Sequence, residues 1–145
     1  MNESTEKFFF KNKNYFLRKT STNDHPFIYN LVKEFLETDL SVTVLTLISF
    51  EEFFKKKINR YTISNDQNDL IGFVQILENN EIGYFLDKKF RNKGIGTEAV
   101  SLLMKLNPKE RYFATVNNKN KPSKKLIERL GFYPKATIYE KIVNS

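Results

Sequence analysis

Glu81-Ile82-Gly83-Tyr84-Phe85-Leu86-Asp87-Lys88-Lys89-Phe90-Arg91-Asn92-Lys93-Gly94-Ile95-Gly96-Thr97-Glu98-Ala99 passes from a strand pattern, through a basic turn, directly into an amphipathic helix. The first N–H groups of a helix have no partner within it, and the helix dipole puts partial positive charge there. Gly94 and Gly96 let a ligand approach the main chain, and Arg91 and Lys93 add charge at the same place. A phosphate, and above all a pyrophosphate, suits such a terminus. Gly94-Ile95-Gly96-Thr97-Glu98-Ala99 also fits the dinucleotide fingerprint formally. That reading requires an acidic residue about 20 positions on, at the end of the next strand. Phe113-Ala114-Thr115-Val116 stands there without a carboxylate, and the chain lacks the Gly-Lys-Ser/Thr of a P-loop.

Outward from this stretch the elements alternate in type. The helix runs over Gly94–Leu106 with a buried stripe of Ile95, Ala99, Leu102, Leu103 and Leu106. Upstream, Arg60–Ser64, Leu70–Leu77 and Glu81–Leu86 read as strands, joined by the polar turns at 65–69 and 78–80 into an antiparallel meander. A first strand is expected at Tyr15–Lys19. A helix capped by Asp24 follows, with Phe27, Ile28, Leu31, Val32, Phe35 and Leu36 on one face. Ser41–Ile48 is ambiguous between strand and helix entry. Ser49-Phe50-Glu51-Glu52 has the form of a capping box and opens a helix through Ile58, with Phe50, Phe53 and Phe54 as core. Downstream come a strand at Tyr112–Val116, a helix through Leu130 closed by Gly131, and a last strand at Ala136–Val143. The whole is a mixed α/β domain, mostly antiparallel, with one central β-α-β crossover.

The 145 residues suit a single domain, 1–145, with residues 1–14 disordered or peripheral to it. An apolar fraction of 40% is enough for a core, and no run approaches the ~18 apolar residues of a membrane span. The N-terminus lacks the charged and apolar regions of a secretory signal, so a cytoplasmic protein is expected. With no Cys and one His, disulfides, thiolate sites and Cys nucleophiles are excluded, and a zinc site or Ser-His-Asp triad is disfavoured. His25 reads as a helix-end surface residue and Lys55-Lys56-Lys57 as a solvated face. The excess of 24 Lys+Arg over 17 Asp+Glu favours an anionic partner without naming it.

A second segment narrows the choice. Asn120-Lys121-Pro122-Ser123 at a helix start is followed by Leu130-Gly131-Phe132 at its end. Together with Arg91-x-x-Gly94-x-Gly96 this order resembles the GNAT superfamily of N-acetyltransferases, in its ribosomal-protein N-terminal acetyltransferase-like branch. The likeness extends from Tyr15 over nearly all of the remaining chain and is most specific in its second half.

The resemblance implies a V-shaped splay between two parallel strands, Glu81–Leu86 and Tyr112–Val116. The arm of acetyl-CoA would enter there, and Phe85, Leu86 and Asp87 match the main-chain positions that pair with it. Arg91, Asn92, Lys93, Gly94, Ile95, Gly96 and Thr97 correspond to the pyrophosphate loop. Asn120 and Ser123 correspond to the border of the thiol end, and Lys93, Lys121 or Lys124 to a 3′-phosphate site. The implied reaction is direct transfer of acetyl to a primary amine in a ternary complex, without a metal. An alkylammonium of pKa about 10 must lose a proton before attack, which calls for a carboxylate or a relayed water. Glu81 is the first candidate base and Glu98 the second. Many relatives place a Tyr acid where this chain has Ile127, leaving Ser123, Tyr133, Tyr139 or solvent. The acceptor is open between a small-molecule amine, a nucleotide-linked amino sugar and a protein N-terminus, and the assembly between monomer and homodimer. Two other readings stand beside it: a CoA-binding module without catalysis, and a basic nucleic-acid binder, for which interleaved stacking aromatics are not evident.

Overall fold

The computed structural model describes residues 6–38 and 46–143. Six strands form one sheet in sequence order: β1 (Phe8–Phe9), β2 (Tyr15–Lys19), β3 (Asn59–Asn65), β4 (Leu70–Ile76), β5 (Glu81–Leu86) and β6 (Phe113–Ala114). All neighbours are antiparallel except β5 and β6. Helices α1 (His25–Thr38) and α2 (Phe50–Lys55) cover one face; α3 (Ile95–Leu106) and α4 (Lys121–Arg129) cover the other. Both hairpin turns in the middle of the sheet place an asparagine at positive φ, Asn68 at 62° and Asn80 at 69°. Asparagine tolerates that conformation better than most residues.

Alternation along the strands supplies both cores. Ile63, Ile71, Val74, Ile76, Ile82 and Leu86 meet Ile95, Ala99, Val100 and Leu103 of α3. On the opposite face Phe73 packs under Ile28, Leu31, Val32 and Leu36 of α1, with Phe53, Phe54 and Phe85 partly buried around it. Because both faces are covered, β3 and β4 are buried almost throughout.

Several expectations need correction. Residues 8–10 are not peripheral: Phe8–Phe9 pairs with β2 and Phe10 enters the core, because its apolar ring has a sheet edge to cover. Asp24 does not cap α1. Its carboxylate accepts both Nη groups of Arg18 (2.7 and 3.0 Å), the N–H of Ser21 (3.0 Å) and the hydroxyl of Thr62 (2.9 Å). His25 is half-buried, stacked on Phe54 at 3.8 Å. Helix α2 stops at Lys55, since Lys56 is already extended (ψ 140°) and the chain turns into β3. Of the ambiguous segment, residues 41–45 lie outside the described residues and 46–48 form no regular element. The tail expected as a strand over 136–143 is not one. Ile138 and Ile142 lie on one side of its alternation, Tyr139 and Val143 on the other, so it has no single apolar face, and all four are exposed.

Gly72 controls the approach of β5. A Cβ there would sit 2.1 Å from the carbonyl oxygen of Phe85, a backbone atom that cannot swing aside. Gly72→Ala should therefore cost about 1–3 kcal/mol, read as a lowered thermal midpoint. Asp24 offers a second test. Burial alone would raise its pKa, but the bonds from Arg18, Ser21 and Thr62 outweigh that and hold it below the ordinary value. A depressed carboxylate stabilises the fold above its unfolded pKa of about 3.9, and that contribution disappears as pH falls through the folded pKa. Asp24→Asn should destabilise the protein at neutral pH and flatten the acid limb of its stability profile below about pH 4.

Candidate active site

The parallel pairing of β5 and β6 covers only Glu81 with Phe113 and Ile82 with Ala114. Beyond it the two strands part. Tyr112–Val116, read as a full strand, is thus a ladder of two residues, and its remainder lines a cleft of about 720 Å³. The direction of the main chain along β5 follows from its bonds to β4. Leu77 N–H reaches Glu81 O and Asp87 N–H reaches Ile71 O, so the main chains of 81, 83, 85 and 87 face β4. Those of Ile82, Tyr84 and Leu86 face the other way, and past Ile82 that means the cleft. Leu86 is among these. Asp87 faces β4: its N–H is spent on Ile71 at 2.8 Å and its side chain caps the turn at Lys89. Phe85 contributes its ring to the cleft wall while its main chain faces β4. Tyr84 is the residue that sequence reasoning missed; counting parity back from the turn at 78–80 would have found it.

At the head of α3, Gly94 has φ 78° and occupies the N-cap position with no side-chain cap, so that among the described residues no side chain caps the first-turn N–H groups. Arg91, Asn92, Gly94, Gly96 and Thr97 line the cleft beside it. Arg91 also donates from Nε to the carbonyl of Leu86 at 3.1 Å, tying the loop to the free edge of β5. Lys93 is outside the lining, and Ile95 is a core residue. Gly96, which lines the cleft, also meets α4. A Cβ there would lie 2.8 Å from Leu126 Cδ1, so this glycine lets α4 pack close against α3.

From α4, Asn120 caps the helix by accepting Ser123 N–H, and Ser123 faces the cleft. Lys121 and Lys124 are exposed and do not line it. The hydroxyls of Tyr84 and Ser123 lie 2.7 Å apart across the opening. Burial raises the Tyr84 pKa above its ordinary value, the Ser123 bond only partly opposing it, so the phenol keeps its proton at neutral pH. Ile127 is 7% exposed and packs into the core. Tyr133 and Tyr139 are exposed outside the cleft. Of the acids, Glu81 lines the cleft; Glu98 does not, and its carboxylate accepts Lys11 N–H at 3.1 Å.

A split between parallel strands, an uncapped helix mouth at its end and a hydroxyl pair across it fit a long thioester bearing a diphosphate. The family model described as "Acetyltransferase (GNAT) domain" matches residues 15–133. The chain belongs to the GNAT acetyltransferases. Acetyl-CoA is accordingly its co-substrate. Among curated proteins no significant sequence match is found. Solved structures share the fold. Spermidine N-acetyltransferase from Vibrio cholerae, in complex with CoA and spermine, has a TM-score of 0.73 at 20% identity, covering 92% of this chain and 89% of its own. A GCN5-related N-acetyltransferase from Kribbella flavida gives 0.74 at 14%, with 86% of each chain covered. RimL, a ribosomal L7/L12 alpha-N-protein acetyltransferase in complex with CoA, gives 0.66 at 19%, covering 90% of this chain and 86% of its own.

The two loop glycines should respond differently. No atom lies within 4 Å of a Cβ built at Gly94, so Gly94→Ala should pay only for its left-handed φ, about 1 kcal/mol, and keep the fold. Gly96→Val must displace the Leu126 side chain that lies against it, and its larger bulk should lower the thermal midpoint more, with loss of stabilisation by acetyl-CoA. Equal midpoints for the two variants would refute the close-packing role of Gly96.

Proposed function

We propose that the protein transfers acetyl from acetyl-CoA to a primary amine by direct attack in a ternary complex, with Glu81 as base and the Tyr84–Ser123 pair as acid. The free edge of β5 carries this reading. The main-chain groups of Tyr84 and the N–H of Leu86 point into the cleft, the Leu86 carbonyl being taken by Arg91, and a peptide-like arm can complete the ladder that β6 abandons. A free N–H on this edge is also placed to polarise the thioester carbonyl. Glu81 stands at the closed end of the split, on the face shared with α1 and α2, from which an acceptor can enter opposite the donor arm.

Glu81 removes a proton from the incoming ammonium, directly or through water, and the free amine attacks. Tyr84, protonated at neutral pH and bonded to Ser123, supplies a proton to the departing thiolate. It does so from β5, across the cleft from Ile127, where relatives carry their tyrosine on the helix. A thiolate of pKa about 8.5 leaves with little help, so this acid matters less than the base. The acceptor classes are a small amine, an amino sugar on a nucleotide and a protein N-terminus. Among the described residues no helix is long and apolar enough to cross a membrane.

Acetyl-CoA, and not NAD, should raise the thermal midpoint of the protein; no shift at saturating acetyl-CoA would overturn the proposal. Glu81→Gln should lower kcat/KM by about 10²–10⁴-fold at pH 7, and less as pH approaches the amine pKa of about 10. Tyr84→Phe should reduce kcat only several-fold, with the loss fading above about pH 8.5. A pH-independent loss in Glu81→Gln would demote Glu81 to a turn residue.

A further inference from the structure

Arg60 is the most unusual charge in the molecule. It lies on β3, 8% exposed, with its guanidinium over the rings of Phe53, Phe54 and Phe73 at 5.2, 5.3 and 5.6 Å. No carboxylate among the described residues lies within ion-pair distance of it, and burial lowers its pKa to about 10. Its hydrogen bond runs from Nε to Oε1 of Gln75 at 2.9 Å. A guanidinium can only donate, so it dictates which way the glutamine amide is turned. Oxygen must face Arg60, and Nε2 must face away.

What Nε2 faces is the cleft. Gln75 pairs with Gly83 of β5 in the ladder and lines the opening with Phe35, Glu81 and Phe85. With no side chain at Gly83, the Gln75 side chain lies over it: a Cβ built there would be 3.6 Å from Gln75 Nε2. Nε2 donates to no described residue. Glu81 is two residues from Gly83 on the same strand face, about 7 Å along it. Thus a carboxylate suited to the reacting nitrogen and an amide donor backed by a cation stand side by side on the acceptor's side of the sheet.

Resting on the acetyl-transfer reading above, we propose that Gln75, oriented by Arg60, is a specificity residue for the acceptor. Its Nε2 donates to an oxygen carried next to the reacting amine, so the preferred acceptor is an α-amino acid or a peptide N-terminus. Both present an amine with a carboxylate or carbonyl beside it. A polyamine offers no oxygen and brings a further cation toward a buried guanidinium, and is disfavoured on both counts. Gln75 contacts substrate; Arg60 is a positioning residue.

The test compares alanine, alanine amide, an alanine-led peptide, propylamine and spermidine as acceptors at saturating acetyl-CoA. Rates are referred to the unprotonated fraction of each amine, since the α-amino group of a peptide or amide titrates at about 7.7–8.0, while free alanine and alkylamines lie closer to about 10. The wild type should favour the alanine compounds over propylamine and spermidine by about tenfold or more in kcat/KM, the worth of one good hydrogen bond. A lead for free alanine indicates the carboxylate as ligand, and a lead for the amide and peptide indicates the carbonyl. Gln75→Glu still accepts from Arg60 and should fold, but replaces the donor with an anion. It should raise KM for the alanine compounds about tenfold, leave the KM for acetyl-CoA unchanged and improve spermidine. Gln75→Met should lose the preference without gaining spermidine.

Oxygen-free amines turned over by the wild type as well as alanine amide would overturn the inference, as would an unchanged ratio in folded Gln75→Glu. In either case acetyl-CoA binding and turnover leave the acetyl-transfer reading intact. No thiol release with any acceptor, together with no stabilisation by acetyl-CoA, removes both.

Discussion

The early end of the β5–β6 ladder is the constraint on which the rest of this protein depends. Two residue pairs hold the strands together at Glu81 and Ile82, and the main-chain groups that follow are left without a strand partner. Backbone N–H and C=O groups inside a fold are almost always paired, so a row of them along an opening is a site awaiting an extended ligand. The packing maintains the split. Beneath it α4 lies against α3 over Gly96, with Leu126 filling the place of the missing side chain. On the far side of β5, the carbonyl of Phe85 occupies the space that any residue larger than glycine at position 72 would need. Strand β5 is thus drawn tightly to β4 and released from β6.

That single strand serves two faces. Tyr84 and Leu86 belong to the side of α3 and α4, where the helix mouth and the hydroxyl pair lie. Glu81, Gly83 and Phe85 belong to the side of α1 and α2, where Gln75 and Phe35 complete the wall. In the proposed reaction a thioester drawn in from one face and an amine from the other would meet across one backbone, with no need for either to pass the other. Burial makes this division chemically useful. It pushes the Tyr84 pKa further above its already high ordinary value and holds the Arg60 guanidinium among aromatic rings, its pKa lowered to about 10.

Much of this was legible in the chain. Period-two and helical patterning located most elements, because residues such as Ile63, Ile71, Ile28 and Ala99 repeat at the spacing of the surface they must bury. The glycines and basic residues of 91–97, with Asn120, Ser123 and the Leu-Gly-Phe after them, pointed to the ligand. Local pattern misled where a partner element decided the outcome. Residues 136–143 have strand-forming side chains but no strand beside them, and Phe8–Phe9 looked peripheral until β2 offered an edge. Glu98 sat in the right turn of the right helix, and its carboxylate went to Lys11.

By itself the sequence determined the alternation of elements, the glycine-bearing helix mouth and the family to which they belong, since those depend on spacing between near neighbours. Tertiary structure alone decided which backbone groups are unpaired, that Tyr84 meets Ser123 across 39 positions of chain, and that Arg60 turns the amide of Gln75. Such facts depend on the register between strands and on which charges are denied a partner. Both are set only when distant segments compete for the same neighbours, and no local pattern records the result.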